Sequence, residues 1–382
     1  MSIAILIGAG LLAALAALHF GSLAVALRRV RAGRVSVAES MPAQAPGVSI
    51  VRPVCGLENF IEETLRSSFL LDYPRVEILF CAASGNDPVI PLIRRLIADY
   101  PWIEARLLVG DERISANPKL NNMLKGWREA AHDYVVFADS NVLMPPDYVQ
   151  RLLSKFAGDT GLVCSPPVGS RPANFFAALE CAFLNTYQAR WQLCADAAGF
   201  GFAQGKTMLW RRTDLDAAGG VRALACDLAE DAASTKVVRA AGRRVRLVDA
   251  PFAQPLGWRN LRDVWTRQAR WARLRRSSFP LCFLPEIVSG GAAPLAVLAW
   301  LAAELQWPLT GTLLGAAALW YGAEYTLARA AGWPASARMI AAAMLRDLMI
   351  PLLWLAAWSS AAFVWRGNIM TITDSDAAPA NR

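Results

Sequence analysis

Short apolar runs alternate with amphipathic stretches through the middle of the chain. The runs with the β-branched composition of buried strands are GVSIVRPV (47–54), VEILFCAA (76–83), EARLLVG (104–110), YVVFADS (134–140) and GLVCSPP (161–167). Helical spacing follows the first two runs, in LENFIEETLRSSFL and in PLIRRLIADY. Strands that alternate with such helices predict an α/β domain with a largely parallel sheet, whose ligands bind beyond the carboxyl ends of the strands.

The first apolar segment is long enough to cross a membrane. Residues 3–27 contain no Asp, Glu, Lys or Arg and could span about 30 Å of hydrocarbon. A cleaved signal peptide is disfavoured, because the run is too long and its basic residues follow it instead of preceding it. With Arg28, Arg29, Arg31 and Arg34 at its end, the positive-inside rule predicts a retained transmembrane helix with its amino terminus outside.

Three further apolar segments, at 289–303, 309–328 and 347–365, are candidate membrane spans. Charged residues interrupt them, which predicts that some boundaries are interfacial; these residues are Glu286, Glu324, Arg346 and Asp347. Three spans would place the carboxyl tail outside, whereas the basic WRG at 365–367 favours the inside. The number of C-terminal spans, two or three, therefore stays undecided. With two spans, one of the segments is re-entrant or lies along the membrane surface.

This pattern predicts six regions. They are an N-terminal transmembrane helix (1–28), a basic linker (29–46), a cytoplasmic α/β domain (47–266), a basic interfacial segment (267–288), C-terminal transmembrane segments (289–366) and a polar tail (367–382).

Composition supports a membrane protein and narrows its chemistry. The 382 residues are 55% hydrophobic, with a mean hydropathy of +0.30, which is too apolar for an ordinary soluble protein. Much of the net charge of +8 lies beside apolar segments and no nucleic-acid-binding motif is present, so we expect contacts with a membrane and with phosphate groups and no nucleic-acid partner. Seven scattered cysteines without a CxxC pair predict reduced packing residues.

Acidic residues stand where the predicted strands end. Asp87 follows the second strand in SGNDP, Asp139 ends the run YVVFA, and Glu230 and Asp231 follow a Gly-Gly turn. Taken singly, each carboxylate fits a turn, a helix cap or a solvated helix start at least as well as a site. His132 is the one histidine of this region, so histidine triads are nearly excluded and any general base is expected to be a carboxylate.

The stretch RQARWARLRR (267–276) places five arginines beside the apolar segments. A basic anchor for lipid headgroups is one interpretation, and a site for an anionic substrate is the other. The anchor fits the last three arginines best, Arg273, Arg275 and Arg276, because they lie beside Phe279 and the apolar run that follows.

Taken in order, these motifs resemble the ceramide glucosyltransferase family, membrane-bound members of the GT-A, family-2-like glycosyltransferases. The resemblance runs from VRPVCGLE at 51 to WRG at 365 and includes LDYPRVEILFC and YPWIEARLLVG. The motifs that carry it are the Asp of NDP at 87, NPKLNN (117–122), the Asp of ADSNV at 139, LAED (228–231) and RQARW (267–271), which fits the family's (Q/R)xxRW pattern. The resemblance implies a Rossmann-like GT-A domain on the cytoplasmic side.

The resemblance also implies roles for the acidic residues. Asp87 would contact the uridine of the donor. Asp139 would contact the ribose–diphosphate and a metal ion, Mg²⁺ or Mn²⁺. Asp231 would be the catalytic base of an inverting transfer, with Glu230 as the reserve candidate. A common DxD metal motif has a second Asp, whereas this chain has Asn141, as the ceramide family tends to; the metal geometry stays open.

Basic and amide residues would bind the substrates. Asn117, Lys119 and Asn121 would hold the donor, Arg267 and Arg270 would contact its diphosphate, and Trp271 would line the acceptor pocket.

The implied reaction moves glucose or N-acetylglucosamine from a UDP-sugar to a hydroxyl of a membrane lipid at the cytoplasmic face. Ceramide is the family's acceptor; a hopanoid lipid is the alternative, because bacterial relatives glycosylate hopanoids and the Ala- and Arg-rich composition is typical of bacterial chains. We therefore expect a multi-pass protein of the bacterial inner membrane. A membrane transporter or scaffold is the alternative of a different class, favoured only by ionisable residues inside the apolar segments.

Overall fold

The computed structural model describes residues 2–33, 45–156, 158–359, 362–365 and 368–371, the last two ranges as backbone only. The described residues exclude Arg34, most of the predicted linker, the Arg and Gly of WRG and most of the polar tail. The chain divides into two units. The sheet unit contains Ala32–Val168, Ala195–Pro255 and Val364–Arg382, and the helical unit contains Met1–Arg31, Gly169–Cys194 and Leu256–Phe363.

The strands, in chain order, are β1 (Val48–Val54), β2 (Val76–Ala82), β3 (Glu104–Val109), β4 (Tyr134–Ala138), β5 (Thr160–Cys164), β6 (Val168–Pro172), β7 (Thr207–Arg211), β8 (Arg244–Leu247), β9 (Ala253–Gly257), β10 (Ala362–Trp365) and β11 (Asn368–Thr371). Seven of them form one sheet in the order β3–β2–β1–β4–β7–β5–β8, and two-stranded sheets pair β6 with β9 and β10 with β11.

The large sheet is mostly parallel, as predicted. β1 is parallel to β2 and β4, β2 to β3, and β5 to β8. β7 is antiparallel to both of its neighbours, β4 and β5, and the sequence pattern did not predict this strand. All seven residues of β1 are buried, which is typical of a strand covered on both faces.

The helices are α1 (Ile3–Ala32), α2 (Ile61–Arg66), α3 (Ile90–Asp99), α4 (Pro118–Glu129), α5 (Tyr148–Leu153), α6 (Phe175–Ala182), α7 (Arg190–Ala197), α8 (Arg212–Ala217), α9 (Glu230–Ala240), α10 (Leu261–Ser278), α11 (Pro280–Phe283), α12 (Ala292–Glu304), α13 (Leu309–Ala331) and α14 (Ala337–Trp358). In the sheet unit, α4 packs directly on the sheet. A Cβ at Gly126 would lie 2.3 Å from Cγ1 of Val51, so only glycine allows this approach.

The helical unit has its own core. α6 continues into a π-helix, Phe183–Ala189, and α10 begins with a capping box formed by Asn260 and Asp263. Buried side chains from α6, the π-helix, α10, α13 and α14 form one apolar cluster, which includes Phe183 and Leu353.

Within the described residues, two helices are long and apolar enough to cross a membrane, α1 and α14. The segments Pro280–Val288 and Ala292–Glu304 pass the same test only as a pair, bent by 43°. The predicted span at 309–328 is helical, as part of α13, but does not pass it. The N-terminal span is therefore supported, whereas two to three C-terminal spans are not confirmed.

The charged residues at 324, 346 and 347 lie within helices and not at their ends. α14 begins ten residues before the predicted span at 347, so Arg346 and Asp347 lie inside it, and Glu324 lies inside α13. All three side chains are buried, and Arg346 forms hydrogen bonds of 2.9 Å with both carboxylate oxygens of Glu324. The charges can stay within helices because they neutralise one another.

Candidate functional site

Asp139 follows β4 directly and lies at the carboxyl end of this buried strand. Its Oδ1 is 2.7 Å from Nζ of Lys119, and its Oδ2 is 2.9 Å from Nζ of Lys206. Burial alone would raise the pKa of this carboxyl, but the two ammonium groups hold it well below its usual range. Asp139 therefore remains a carboxylate at any physiological pH.

Arg52 of β1 fixes the turn that carries Asp139. Its guanidinium is fully buried and donates to the carbonyl oxygens of Asp139, Ser140 and Val142, at 2.8 Å, 3.0 Å and 3.0 Å. Burial lowers the pKa of Arg52 to about 10, so it stays charged. This arginine sets the direction in which the Asp139 side chain leaves the strand.

Lys119 lies at the start of α4, which Asn117 caps. The Asn117 Oδ1 accepts from the backbone N–H groups of Lys119 and Leu120, and Pro118 occupies the first helical position. The Lys119 ammonium also lies 2.6 Å from Oε1 of Glu230 and donates to the carbonyl of Gly205 at 2.6 Å. Burial alone would lower the pKa of Lys119, but Asp139 and Glu230 raise it above its usual value.

Glu230 and Asp231 begin α9 in different environments. Glu230 is paired with Lys119 and accepts from Nδ2 of Asn117 at 2.7 Å. Asp231 accepts from the backbone N–H of Gly205 at 3.2 Å, and within the described residues no lysine or arginine forms an ion pair with it. Burial, followed by the charge of Glu230, raises the pKa of Asp231 to about 6.

The structure thus brings together five predicted residues: Asn117, Lys119, Asp139, Glu230 and Asp231. We call these five, with Gly205 and Lys206, the acidic–lysine cluster. Gly205 contributes because of its size. A Cβ at this position would lie 2.8 Å from Oε1 of Glu230 and 3.2 Å from Nζ of Lys119.

Asp87 and Asn121 make other contacts. Asp87 accepts from the backbone N–H of Gly56 with both oxygens, at 2.9 and 3.0 Å, and from Val89 N–H at 3.0 Å. These are the contacts of a turn-forming Asp, which agrees with the turn interpretation. Asn121 bonds the backbone of the loop at Ile114 and Ser115. Both residues shape loops at the carboxyl ends of β2 and β3.

The RQARW motif lies on α10, in the helical unit. Arg267 forms an ion pair with Glu180 of α6, and the Glu180 side chain is fully buried. The Arg267 guanidinium lies 5.9 Å from the Trp271 ring centroid. Trp271 packs against the apolar cluster of this unit, and Arg270 is half-buried. Arg267 therefore neutralises a buried carboxylate, a partner that the sequence did not indicate.

Two of the trailing arginines also have partners, which the anchor interpretation did not foresee. Arg275 forms two hydrogen bonds with Glu286, of 2.7 and 2.8 Å, and the Arg276 guanidinium lies 5.0 Å from the Trp358 ring centroid. Arg275 is therefore a structural residue of α10.

Sequence reasoning missed four residues with clear positions: Arg52, Glu180, Gly205 and Lys206. The one available signal was the Gly-Lys pair directly before the apolar run TMLW. Such a pair at the start of a strand indicates a close backbone approach beside a charge.

The described residues contain no group of three or more His, Cys, Asp and Glu side chains arranged to hold a metal ion. Two oxygens nevertheless converge on one cation, since Oδ2 of Asp139 and Oδ1 of Asn141 both contact Nζ of Lys206 at 2.9 Å. Oxygen donors of this kind suit Mg²⁺ and Mn²⁺, and Mg²⁺ sites often combine one or two carboxylates with substrate phosphates. The residues therefore fit a metal site that a diphosphate completes.

The chain is similar in sequence to two ceramide glucosyltransferases. Ceramide glucosyltransferase 3 of Caenorhabditis elegans is 26% identical over 333 residues, covering 85% of this chain and 72% of the relative. Ceramide glucosyltransferase 1 of the same organism is 30% identical over 237 residues, covering 62% of this chain but only 51% of the relative. The second match thus spans about half of that relative's length.

A solved structure shows the fold. The mannosyltransferase PcManGT from Pyrobaculum calidifontis, in complex with GDP-Man and Mn²⁺, superposes with a TM-score of 0.52 at 19% identity, covering 89% of this chain and 98% of the other. The sheet unit accordingly has the GT-A glycosyltransferase fold. The sequence profile of glycosyl transferase family 21 matches residues 11–378. The chain belongs to glycosyl transferase family 21 and is a hexosyltransferase by class.

Proposed function

We propose that this chain transfers a hexose, glucose or N-acetylglucosamine, from a UDP-sugar to the hydroxyl of a membrane lipid such as ceramide, with inversion at the anomeric carbon. The observation that carries the proposal is the contrast between Glu230 and Asp231. One carboxylate is paired with Lys119 and the other is not, so a single site offers a fixed counter-charge and a base with a pKa near 6.

The reaction needs both the counter-charge and the base. Asp231 takes the proton of the acceptor hydroxyl while the hydroxyl oxygen attacks the anomeric carbon of the donor sugar. The bond from that carbon to the diphosphate oxygen breaks. Negative charge develops on the leaving diphosphate, and the Lys119 ammonium, fixed by Asp139 and Glu230, lies where it can oppose that charge. A divalent cation held by Asp139 and Asn141 supplies further counter-charge when bound.

The relatives and the membrane-like helices support further parts of the proposal. The relatives are ceramide glucosyltransferases, which favours a sphingolipid acceptor, and the structural neighbour binds a nucleotide sugar with Mn²⁺, which favours Mg²⁺ or Mn²⁺ here. Asp87 is proposed to shape the uridine pocket through Gly56, Arg270 to contact the diphosphate and Trp271 to line the acceptor pocket, whereas Arg267 is already paired with Glu180. The apolar α1 followed by arginines favours a cytoplasmic catalytic face on a bacterial inner membrane.

The test uses the full chain in detergent or vesicles with each of UDP-glucose, UDP-N-acetylglucosamine and UDP-galactose, and with ceramide or a hopanoid alcohol as acceptor. We expect one glycolipid product, identified by mass spectrometry, of inverted anomeric configuration by NMR. Its formation should stop in excess chelator and return with Mn²⁺. A product with retained configuration would contradict the assignment of Asp231 as base, and no product with any pair would contradict the proposal.

A further inference from the structure

Lys206 is placed by backbone register, not by a flexible loop. β7 begins at Thr207, which pairs antiparallel with Ala138, the last residue of β4. The ladder continues by one residue, since the N–H of Asp139 donates to the Lys206 carbonyl at 3.1 Å. Lys206 therefore stands directly across from Asp139, where side chains of an antiparallel pair meet.

Its ammonium joins two oxygen ligands. It lies 2.9 Å from Oδ2 of Asp139 and 2.9 Å from Oδ1 of Asn141. The Asn141 amide is oriented for this contact, because its Nδ2 donates to Oε2 of Glu58 at 3.1 Å and its oxygen therefore faces the lysine. Only 16% of the Lys206 side chain is exposed, so this is a formed site and not a chance surface pair.

These are the same two oxygens that fit a divalent cation. An ammonium group and a divalent ion cannot share the position that lies 2.9 Å from both oxygens, because their like charges repel strongly at such separations. Bringing a divalent ion to Asp139 and Asn141 therefore requires the Lys206 ammonium to leave. Its long, rotatable stem allows this while the backbone register stays unchanged.

We propose that Lys206 is a built-in cation of the donor site, which occupies the metal-binding oxygens in the free protein and transfers its ammonium to the diphosphate when nucleotide and metal bind. The inference rests on the proposed function. A diphosphate brings enough negative charge for two cations. The Lys206 ammonium can pair with the diphosphate, and the divalent ion can then bind the oxygens of Asp139 and Asn141. Metal and nucleotide binding are then mutually reinforcing, and the metal alone binds weakly.

A purely structural ion pair predicts something different. If Lys206 only tied β7 to β4, its removal would loosen the site and weaken Mn²⁺ and nucleotide binding together. If Lys206 instead competes with the metal ion, its removal strengthens the binding of Mn²⁺ alone and weakens the binding of UDP in the absence of metal. The two affinities move in opposite directions only in the second case.

The experiment measures both affinities on the full chain in detergent. Mn²⁺ binding without nucleotide is followed by electron paramagnetic resonance, and UDP binding in excess chelator by calorimetry. The variants are Lys206→Met and Lys206→Gln, which remove the charge, and Lys206→Arg, which keeps it. Lys155→Met is the matched control, because it removes a lysine of the same unit that pairs with Asp249.

We expect Lys206→Met and Lys206→Gln to bind Mn²⁺ alone at least tenfold more tightly than the wild type and metal-free UDP at least fivefold more weakly. Lys206→Arg and Lys155→Met should stay within about twofold of the wild type for Mn²⁺. Unchanged or weaker Mn²⁺ binding in folded neutral variants overturns the proposal. If the wild type binds no UDP, the proposed donor is wrong, and the Mn²⁺ measurement still decides the role of Lys206.

Discussion

The Lys119 ammonium lies 2.6 Å from Oε1 of Glu230, so this carboxylate carries its own counter-charge. The carboxylate of its neighbour in the chain, Asp231, accepts hydrogen bonds only from backbone N–H groups of the described residues, those of Gly205 and Ala232. Adjacent acids at the start of one helix thus separate into an ion-paired group and a group whose pKa is raised.

Asp231→Asn should remove transfer and leave donor binding nearly intact. The substitution keeps the shape but deletes the proton acceptor, and a general base typically contributes about 10²–10⁴-fold in rate. The measurements are glycolipid formation and UDP affinity on the same preparation. Full activity in this variant would assign the base elsewhere, with Glu230 next in line.

The rate should follow the ionisation of Asp231. With its pKa raised to about 6, kcat/KM should fall as pH decreases through about 6, whereas Asp139, whose pKa is lowered, stays charged and contributes no such limb. Glu230→Gln removes one of the charges that raise the pKa of Asp231, so the limb should move to lower pH, although burial continues to raise it. The measurement is a pH–rate profile of the wild type and of Glu230→Gln. An acidic limb at the same pH in both proteins would mean that a group other than Asp231 titrates.

The same raised pKa should cost stability at neutral pH. Asp231 binds its proton more tightly in the folded chain than in the unfolded one, so the fold loses stability as pH rises from about 4 through about 6. Asp231→Asn should therefore raise the thermal midpoint at pH 7.5, by the equivalent of roughly 1–2 kcal/mol after allowance for partial exposure, and less at pH 4.5. Asp159→Asn, at a half-exposed ion pair with Arg244, is the control and should show no gain at either pH.

Gly205→Ala should disturb the acidic–lysine cluster without unfolding the chain. The added Cβ would lie 2.8 Å from Oε1 of Glu230, so side chains of the cluster must shift. We expect at least a tenfold loss of transfer, because small misplacements of reacting groups are costly, with a stability change of about 1 kcal/mol or less. At Gly85 the nearest atom is 3.7 Å away, and Gly85→Ala should leave the rate unchanged. Equal losses of transfer in Gly205→Ala and Gly85→Ala would contradict a role of Gly205 in the acidic–lysine cluster.

Arg267→Met should destabilise the helical unit, by about 3 kcal/mol, because it leaves the fully buried Glu180 with only the more distant Arg259 at 3.5 Å. The double variant with Glu180→Met should recover most of that loss. Thermal unfolding of both single variants and the double variant measures the coupling. Loss of transfer with unchanged stability in Arg267→Met would instead place Arg267 on the substrate.

The sequence predicted the parts of the fold and site that depend on local pattern. The first five strands follow from apolar runs, and Asp139 could be placed because it directly follows one of them. Lys119 and Asp231 required the resemblance, because a lysine after a helix cap and an acid at a helix start occur in many proteins.

The parts that sequence reasoning missed depend on pairings between distant segments. Lys206 reaches Asp139 only because β7 runs antiparallel between parallel strands, and its single short run gives no sign of direction. Glu180 and Arg267 are 87 residues apart, and no local pattern shows that they meet. Glu324 and Arg346 interrupt apolar runs in the sequence, and no local pattern shows that these two residues, 22 positions apart, form a pair.

That last pair has a consequence for how the chain is made. Synthesis completes Glu324 while Arg346 is still 22 residues from being added, so until then this carboxylate has, among the described residues, only the longer ion pair with Arg190, at 3.7 Å. A carboxylate that lacks its two-bond partner is costly inside a bilayer. α13 therefore gains little by entering the lipid before α14 is available to join it. We expect the two helices to leave the translocation machinery together as a hairpin, so that a ribosome paused between them would hold a segment still exposed at the membrane surface.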